Sequence, residues 1–588
     1  MSDATNLPGM ITLLLQRFGG VALGLILIAR VHATPADTAF ETAANACIED
    51  HLRLNPEGAT ELGDHRFDGE LTDYSPAAMR AKLETARRHL AALSQINEHD
   101  LTGPNRVDAK ILRLNLEAEI FRLTELHATT WDPLSYNQSL AQGIYLLTAR
   151  DFAPADQRLR SAARRLALIP GVIAQAKANL VNPPAIYTQT AIKQVNGAIG
   201  LMRDGLEPLL VEAPALRAEL APLQTSAVAA LTDYKHWLEM DLLPRSNGDF
   251  RIGADLYRKK LRYALASDLT PEQILARAEQ ELVTTTDALY ATALPLYRKY
   301  FPSAGVAAEA DHPKVIKAVL DHLAEERPDD KTIVPYGESV LAQATDFVRA
   351  HDLVTVPDRP IKVIVTPEFK RGRGVAYCDS PGALEPNGET FVAIEPTPSD
   401  WPEARKVSFY REYNNYMMHD LVVHEAMPGH FLQLAHSNQF KAPTLVRSIF
   451  QSGSFIEGWA VYTERVMAAE GFGGPETHLQ QLKMRLRVII NAMLDQKIHM
   501  AGLTKEQAID LMMNRGFQEE GEAVAKWQRA QLSSTQLATY FVGTIEHDDM
   551  RAAAEKKMGA TFNLKRYHDE VLAHGSPAVK FVREEMGL

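Results

Sequence analysis

From Thr34 to about Tyr300 apolar residues recur at helical spacing, punctuated only by Pro and Gly, and this periodicity constrains the chain to a mainly α-helical fold. Within Arg106 to Leu126, for example, Leu112, Leu116, Ile120 and Leu123 fall on one face. Pro170-Gly171 predicts a break or kink, and Asn182-Pro183-Pro184 predicts a loop. Thr270-Pro271-Glu272-Gln273 reads as a capping box with proline at the first helical position, and Thr504 with Gln507 repeats the pattern. One region breaks the texture. Residues 361–366 (IKVIVT) and 390–395 (TFVAIE) are β-branched runs bounded by Pro and Gly, which predict two strands. Between them runs a Gly-rich loop containing Arg371, Arg373 and Tyr377, and helices resume near Glu403. The expected architecture is therefore helical with a small inserted β-sheet near 361–396. It divides into a helical region over 34–300 and a second region over 301–588.

The 588 residues carry 62 Lys+Arg against 74 Asp+Glu, a net charge of −12. That balance argues against a nucleic-acid partner, which needs a dense basic face. A 46% hydrophobic, 23% charged composition is that of a globular chain. Two cysteines, Cys47 and Cys378, exclude a disulfide scaffold and a cysteine-only zinc knot, and their spacing leaves open whether they pair. Residues 1–33 read as an export signal: Arg17 flanks an apolar run from Phe18 to Ala29, and Val31-His32-Ala33 fits a signal peptidase site. The run is short for a membrane span, and no cysteine follows it to take a lipid. A periplasmic or secreted protein without stable membrane insertion is expected, with an uncleaved N-terminal anchor as the alternative.

The chemistry concentrates after residue 419, where the chain reads HDLVVHEAMPGH. Open zinc sites commonly use two His and one carboxylate, and a His-Glu pair supplies a ligand followed by a general base. The usual HExxH spacing is not met. Pro428 stands where the second His would be, and the next is His430. On one unbroken helix His424 and His430 would point about 240° apart, so the motif requires a backbone change, which Pro428-Gly429 invites. A third ligand is expected from GSFIEGWAVYTER, where Glu457 and Glu464 are seven apart and share a helix face. Glu457 is the preferred ligand, with Glu464 as its support or substitute. The predicted set is one Zn2+ on His424, His430 and Glu457, with Glu425 as base and Asp420 behind His424. The alternative is a polar helix with hydrogen-bonded histidines.

HEAMPGH followed by EGWAVYTE resembles the bacterial domain-of-unknown-function 885 family, which is similar to zincin metallopeptidases of the gluzincin kind. The resemblance extends to residues 54–75, to Asn247-Gly248-Asp249-Phe250, and to Ala538–Gly543 and Arg566-Tyr567-His568. It implies hydrolase chemistry without naming a substrate. It also implies an Asp…His pair after the Glu helix, matched here by Asp495 and His499, whose i, i+4 spacing lets the carboxylate orient the imidazole. His499 and Tyr540 are then candidate donors to an oxyanion, against plain ion-pair and core-tyrosine readings. The family commonly carries Pro-Gly-Gln before the late Tyr; here Ser534-Thr535 precede Gln536. Arg371, Arg373 and Tyr377 could contact a substrate carboxylate or backbone, against a reading as solvated loop. Analogy adds an elongated outline with a deep central cleft that admits short peptides. The expected function is an exported zinc metallopeptidase. A zinc amidase on a non-peptide amide, or a non-catalytic metal-containing binding protein, stays open.

Overall fold

The computed structural model describes residues 34–366, 375–385, 387–398 and 401–588. The expected leader over 1–33, and Arg371 and Arg373, lie outside the described residues. The remainder is mainly α-helical with one three-stranded sheet.

Helices Ala155–Asn179, Ala185–Asp204 and Arg217–Trp237 surround a core that runs from Tyr136 to Leu242. The first of these continues through Pro170, so of the expected break or kink no break occurs. Ile169, Val172 and Ile173 are buried on either side of the proline, and that packing holds the helix where local propensity does not. Helices Pro35–Leu54 and Gly103–Phe121 form another core, which Ala578 and Phe581 from the C-terminus complete. Buried Arg447 locks the two ends together, bonding Asp108 at 2.6 Å and Glu585 at 2.7 Å.

Both predicted capping boxes form. Thr270 Oγ1 accepts from the Gln273 amide while Gln273 Oε1 accepts from the Thr270 amide, and Thr504 and Gln507 do the same. The helix that Thr270 starts, Pro271–Tyr300, packs along helix Gly474–Ala501, so that Leu289, Ala293 and Leu296 share one core with Leu479, Leu486 and Ile490. The expected division at residue 300 therefore falls inside a single core. The contacts that stabilise Pro271–Tyr300 come from beyond it.

The sheet has the order β1-β3-β2, with β1 Ile361–Val365, β2 Ala376–Asp379 and β3 Thr390–Ile394. β1 pairs parallel with β3, and β2 pairs antiparallel, Tyr377 opposite Ala393 and Cys378 opposite Val392. Tyr377 thus stands on a strand, not in the expected loop. β2 is four residues long, and its outer edge faces the His424 region. Past its end, at Asp379, opens a polar cleft lined by His65, Tyr145, Arg150 and Glu385. Both cysteines are free: Cys47 lies in the first helix and Cys378 on β2. Among the described residues no helix is long and apolar enough to cross a membrane.

Candidate metal centre

The helix carrying His424 (Asn415–Glu425) starts at Asn414, whose side chain accepts from the Tyr416 and Met417 amides. It ends at Glu425, and the helix carrying His430 (His430–Ser437) begins five residues later. The four residues between them form a tight reversal. Gly429 N donates to Val423 O at 2.9 Å, and Trp459 Nε1 donates to Pro428 O at 2.9 Å. A Cβ at position 429 would lie 2.0 Å from the His424 carbonyl oxygen, so only glycine allows this approach. The reversal brings the imidazoles of His424 and His430 to a centroid separation of 4.7 Å. The predicted change of backbone direction is present, and it cures the 240° mismatch.

The helix carrying Glu457 (Gly453–Ala469) is capped by Ser452, which accepts from Phe455 N. Phe455, Trp459, Tyr462 and Val466 are buried in the core shared with the His424 helix. On its other side it meets the helix carrying Tyr540 (Ala538–Met558) almost backbone to backbone. A Cβ added at Gly543 would sit 1.9 Å from Ser454 O, and one added at Gly458 would sit 2.4 Å from the Gly543 carbonyl carbon. The two glycines set the depth at which Glu457 enters the site.

One Glu457 oxygen lies 3.5 Å from His424 Nε2 and 3.4 Å from His430 Nε2. The ligand atoms of the three residues lie within 4.8 Å of one another, which leaves room for an ion with bonds near 2 Å. His424 Nδ1 meets Glu464 at 2.7 Å, and that contact fixes Nε2 as the atom facing His430 and Glu457. The donor set thus fits zinc: two imidazoles, one carboxylate, and a carboxylate behind one of the imidazoles. Glu464 is therefore placed behind His424, and Glu457 is the carboxylate that meets both histidines. Burial opposes charge on His424, but its hydrogen bonds to Glu457 and Glu464 outweigh burial and hold its pKa well above the ordinary imidazole value. Burial likewise opposes the Glu457 carboxylate, but the two imidazoles hold its pKa well below the usual range. Asp420 lies buried in the same interior, and burial together with the Glu464 charge pushes it well up. Burial raises Glu464 in turn.

Glu425 is the last residue of its helix and is nearly buried. Cys378 N on the β2 edge donates to its Oε2 at 3.0 Å. The candidate base is thus oriented by a backbone group, a contact that sequence reasoning missed because it spans 47 positions and uses no side chain of Cys378.

Tyr540 is half-buried, its ring 6.5 Å from that of His424 at 30° between planes. Its hydroxyl accepts from Arg529 at 3.1 Å and from Gln536 at 3.3 Å. Burial and the nearby Glu457 charge raise its pKa, so it remains a neutral phenol. The Asp495…His499 expectation is corrected. Asp495 accepts from the Thr535 and Ala538 amides at 2.9 and 3.0 Å and so anchors the start of the Tyr540 helix. Burial lifts it to about 6. His499 stacks on Tyr257 and bonds Ser533 O through Nε2. Burial lowers it to about 4, so it is a neutral imidazole whose N–H is already committed to a carbonyl. The two residues share a helix face, as the spacing required, but each meets a backbone group of the 533–538 turn.

In that turn Thr535 has φ +69°, the left-handed region that a β-branched residue rarely adopts. This is the position at which glycine is common in the family the sequence resembles. The turn is retained here at a local cost of about 1–2 kcal/mol, offset by the Asp495 bonds.

The family described as "Bacterial protein of unknown function (DUF885)" matches residues 56–586. The chain belongs to this family. A solved candidate lipoprotein of unknown function from Shewanella oneidensis shares 32% identity with it over 93% of this chain and all of the other, with a TM-score of 0.79. A candidate lipoprotein from Colwellia psychrerythraea shares 17% identity over 94% of this chain and 98% of its own, with a TM-score of 0.76, and shows the same fold. None of the curated proteins matches the chain. This family assignment covers both the sequence motifs and the helical architecture, and carries no activity with it.

Proposed function

We propose that the protein is a zinc-dependent hydrolase acting on peptide bonds of short peptides. The observation that carries this reading is the convergence of His424 Nε2, His430 Nε2 and Glu457 within 4.8 Å, beside a carboxylate, Glu425, that is aimed by a backbone amide. His424, His430 and Glu457 would hold the ion, oriented through Glu464. Zinc bound there supplies a Lewis acid towards water and a carbonyl oxygen.

The remaining steps belong to the chain's own side chains. Cys378 N–H occupies Glu425 Oε2. The other oxygen is then available to take a proton from an attacking water and deliver it to the leaving nitrogen. The Tyr540 hydroxyl accepts two hydrogen bonds, so its own hydrogen is available to stabilise negative charge developing on the carbonyl oxygen. The export signal read over 1–33 and the lipoprotein descriptions of the two solved relatives support an exported or envelope-associated location.

The test is hydrolysis of a defined mixture of short peptides, followed by mass spectrometry before and after chelation. Cleavage should stop on chelation and return when zinc is added. Cleavage indifferent to the chelator, or no cleavage by zinc-loaded protein, would contradict the reading.

A further inference from the structure

Arg529 lies on helix Glu520–Gln531, half-buried, with its Nη2 bonded to two neutral acceptors, Gln536 Oε1 at 2.9 Å and the Tyr540 hydroxyl at 3.1 Å. Among the described residues no carboxylate lies within 4 Å of its guanidinium, whereas neighbouring Arg487 and Lys526 both face Glu522. Lys260 donates to Ser534 Oγ at 2.6 Å in the same turn and also has no carboxylate within that distance among the described residues. Two cations therefore contact the turn that leads into Tyr540. The metal cluster itself carries the Glu425 and Glu457 carboxylates. An anionic group of a substrate therefore finds its partner in a fixed cation outside that carboxylate pair. Arg529 is fixed by two hydrogen bonds through Nη2 and keeps its Nε–H and Nη1–H donors for a charge-assisted bond to a carboxylate.

The contacts also bound the distance. Arg529 touches the Tyr540 hydroxyl, and the Tyr540 ring faces His424 at 6.5 Å. The guanidinium thus lies within roughly 12 Å of the His424 ring, the span of three to four extended residues.

We infer that Arg529, steadied by Gln536 and Tyr540, receives the C-terminal carboxylate of the substrate, so that the site selects short peptides with a free C-terminus close to the cleaved bond. This rests on the peptidase reading for the identity of the substrate, but the carboxylate preference can be measured without turnover.

The experiment is calorimetric titration of the full chain carrying Glu425→Gln with a tetrapeptide as free acid, as C-terminal amide, and as amide with a terminal Glu side chain. The acid should bind at least ten-fold more tightly than the plain amide. Arg529→Gln should remove that ratio, and Arg529→Lys should keep part of it. A purely structural Arg529 would weaken all three ligands alike and leave the ratio unchanged. Equal binding of acid and amide to the parent, no binding of any ligand, or a ratio that survives Arg529→Gln would overturn the inference. Equal affinity of acid and Glu-amide, both above the plain amide, would overturn the C-terminal assignment in favour of an acidic side chain. Because the acid-to-amide ratio of the parent is itself decisive, a misfolded variant does not rescue the proposal. Hydrolysis of acid and amide at equal rates would sink this inference and keep the peptidase reading. Acid-selective binding without any hydrolysis by the unsubstituted protein would do the reverse.

Discussion

Glu425→Gln lowers turnover about 10²–10⁴-fold, the range for loss of a positioned general acid–base, and leaves bound zinc unchanged. Glutamine preserves the volume of the side chain, and its amide oxygen can still accept the Cys378 N–H that holds Glu425 at 3.0 Å. What disappears is the ability to take and return a proton. In activation free energy the loss is about 3–5 kcal/mol. Turnover numbers on one cleavable peptide, measured beside metal content, check it. Retained turnover would remove Glu425 from the mechanism, and lost metal would mean that Glu425 belongs to the ligand set.

Gly543→Ala is the second large effect, and it acts from behind the site. The new Cβ would sit 1.9 Å from Ser454 O and 2.8 Å from Gly458 Cα. Both are backbone atoms, so the Glu457 and Tyr540 helices must separate. Overpacking of this kind typically costs about 1–3 kcal/mol, and helix-to-helix backbone contact puts this site at the top of that range. Glu457 precedes Gly458 by one residue, so the separation also withdraws the carboxylate from the two imidazoles. Zinc affinity should fall at least ten-fold in addition to the loss of stability. Leu231→Ala, in the N-terminal core, provides the control: a comparable loss of stability with unchanged zinc affinity. Denaturant midpoints with competitive zinc titration separate the two. If Gly543→Ala weakens the fold but not the metal, the spacing of these helices does not position Glu457.

Much of the site was legible because its determinants are local. His424 and His430 could be brought together only by a reversal, and Pro428-Gly429 announced one. Glu457 and Glu464 had to share a face at a separation of seven. Which of them meets the histidines depends on how far the helix is inserted, and that is set by Gly458 against Gly543, 85 positions apart. The two longer strands were visible as β-branched runs. β2, Ala-Tyr-Cys-Asp, carries no such run and is a strand only because β3 pairs with it. At Pro170 the expected break or kink is not a break, since tertiary burial of its neighbours carries the helix through. Asp495 and His499 show the limit of spacing arguments. The i, i+4 rule says that two side chains can meet, but the amides of Thr535 and Ala538 and the carbonyl of Ser533 compete for them.

The central claim is that His424, His430 and Glu457 hold one zinc ion. Metal content by mass spectrometry, on the purified protein and on His430→Ala, tests it most directly. About one zinc per chain, lost in the variant, is the result the account predicts. Zinc retained by His430→Ala, or no zinc in either protein after it has been offered, would contradict it.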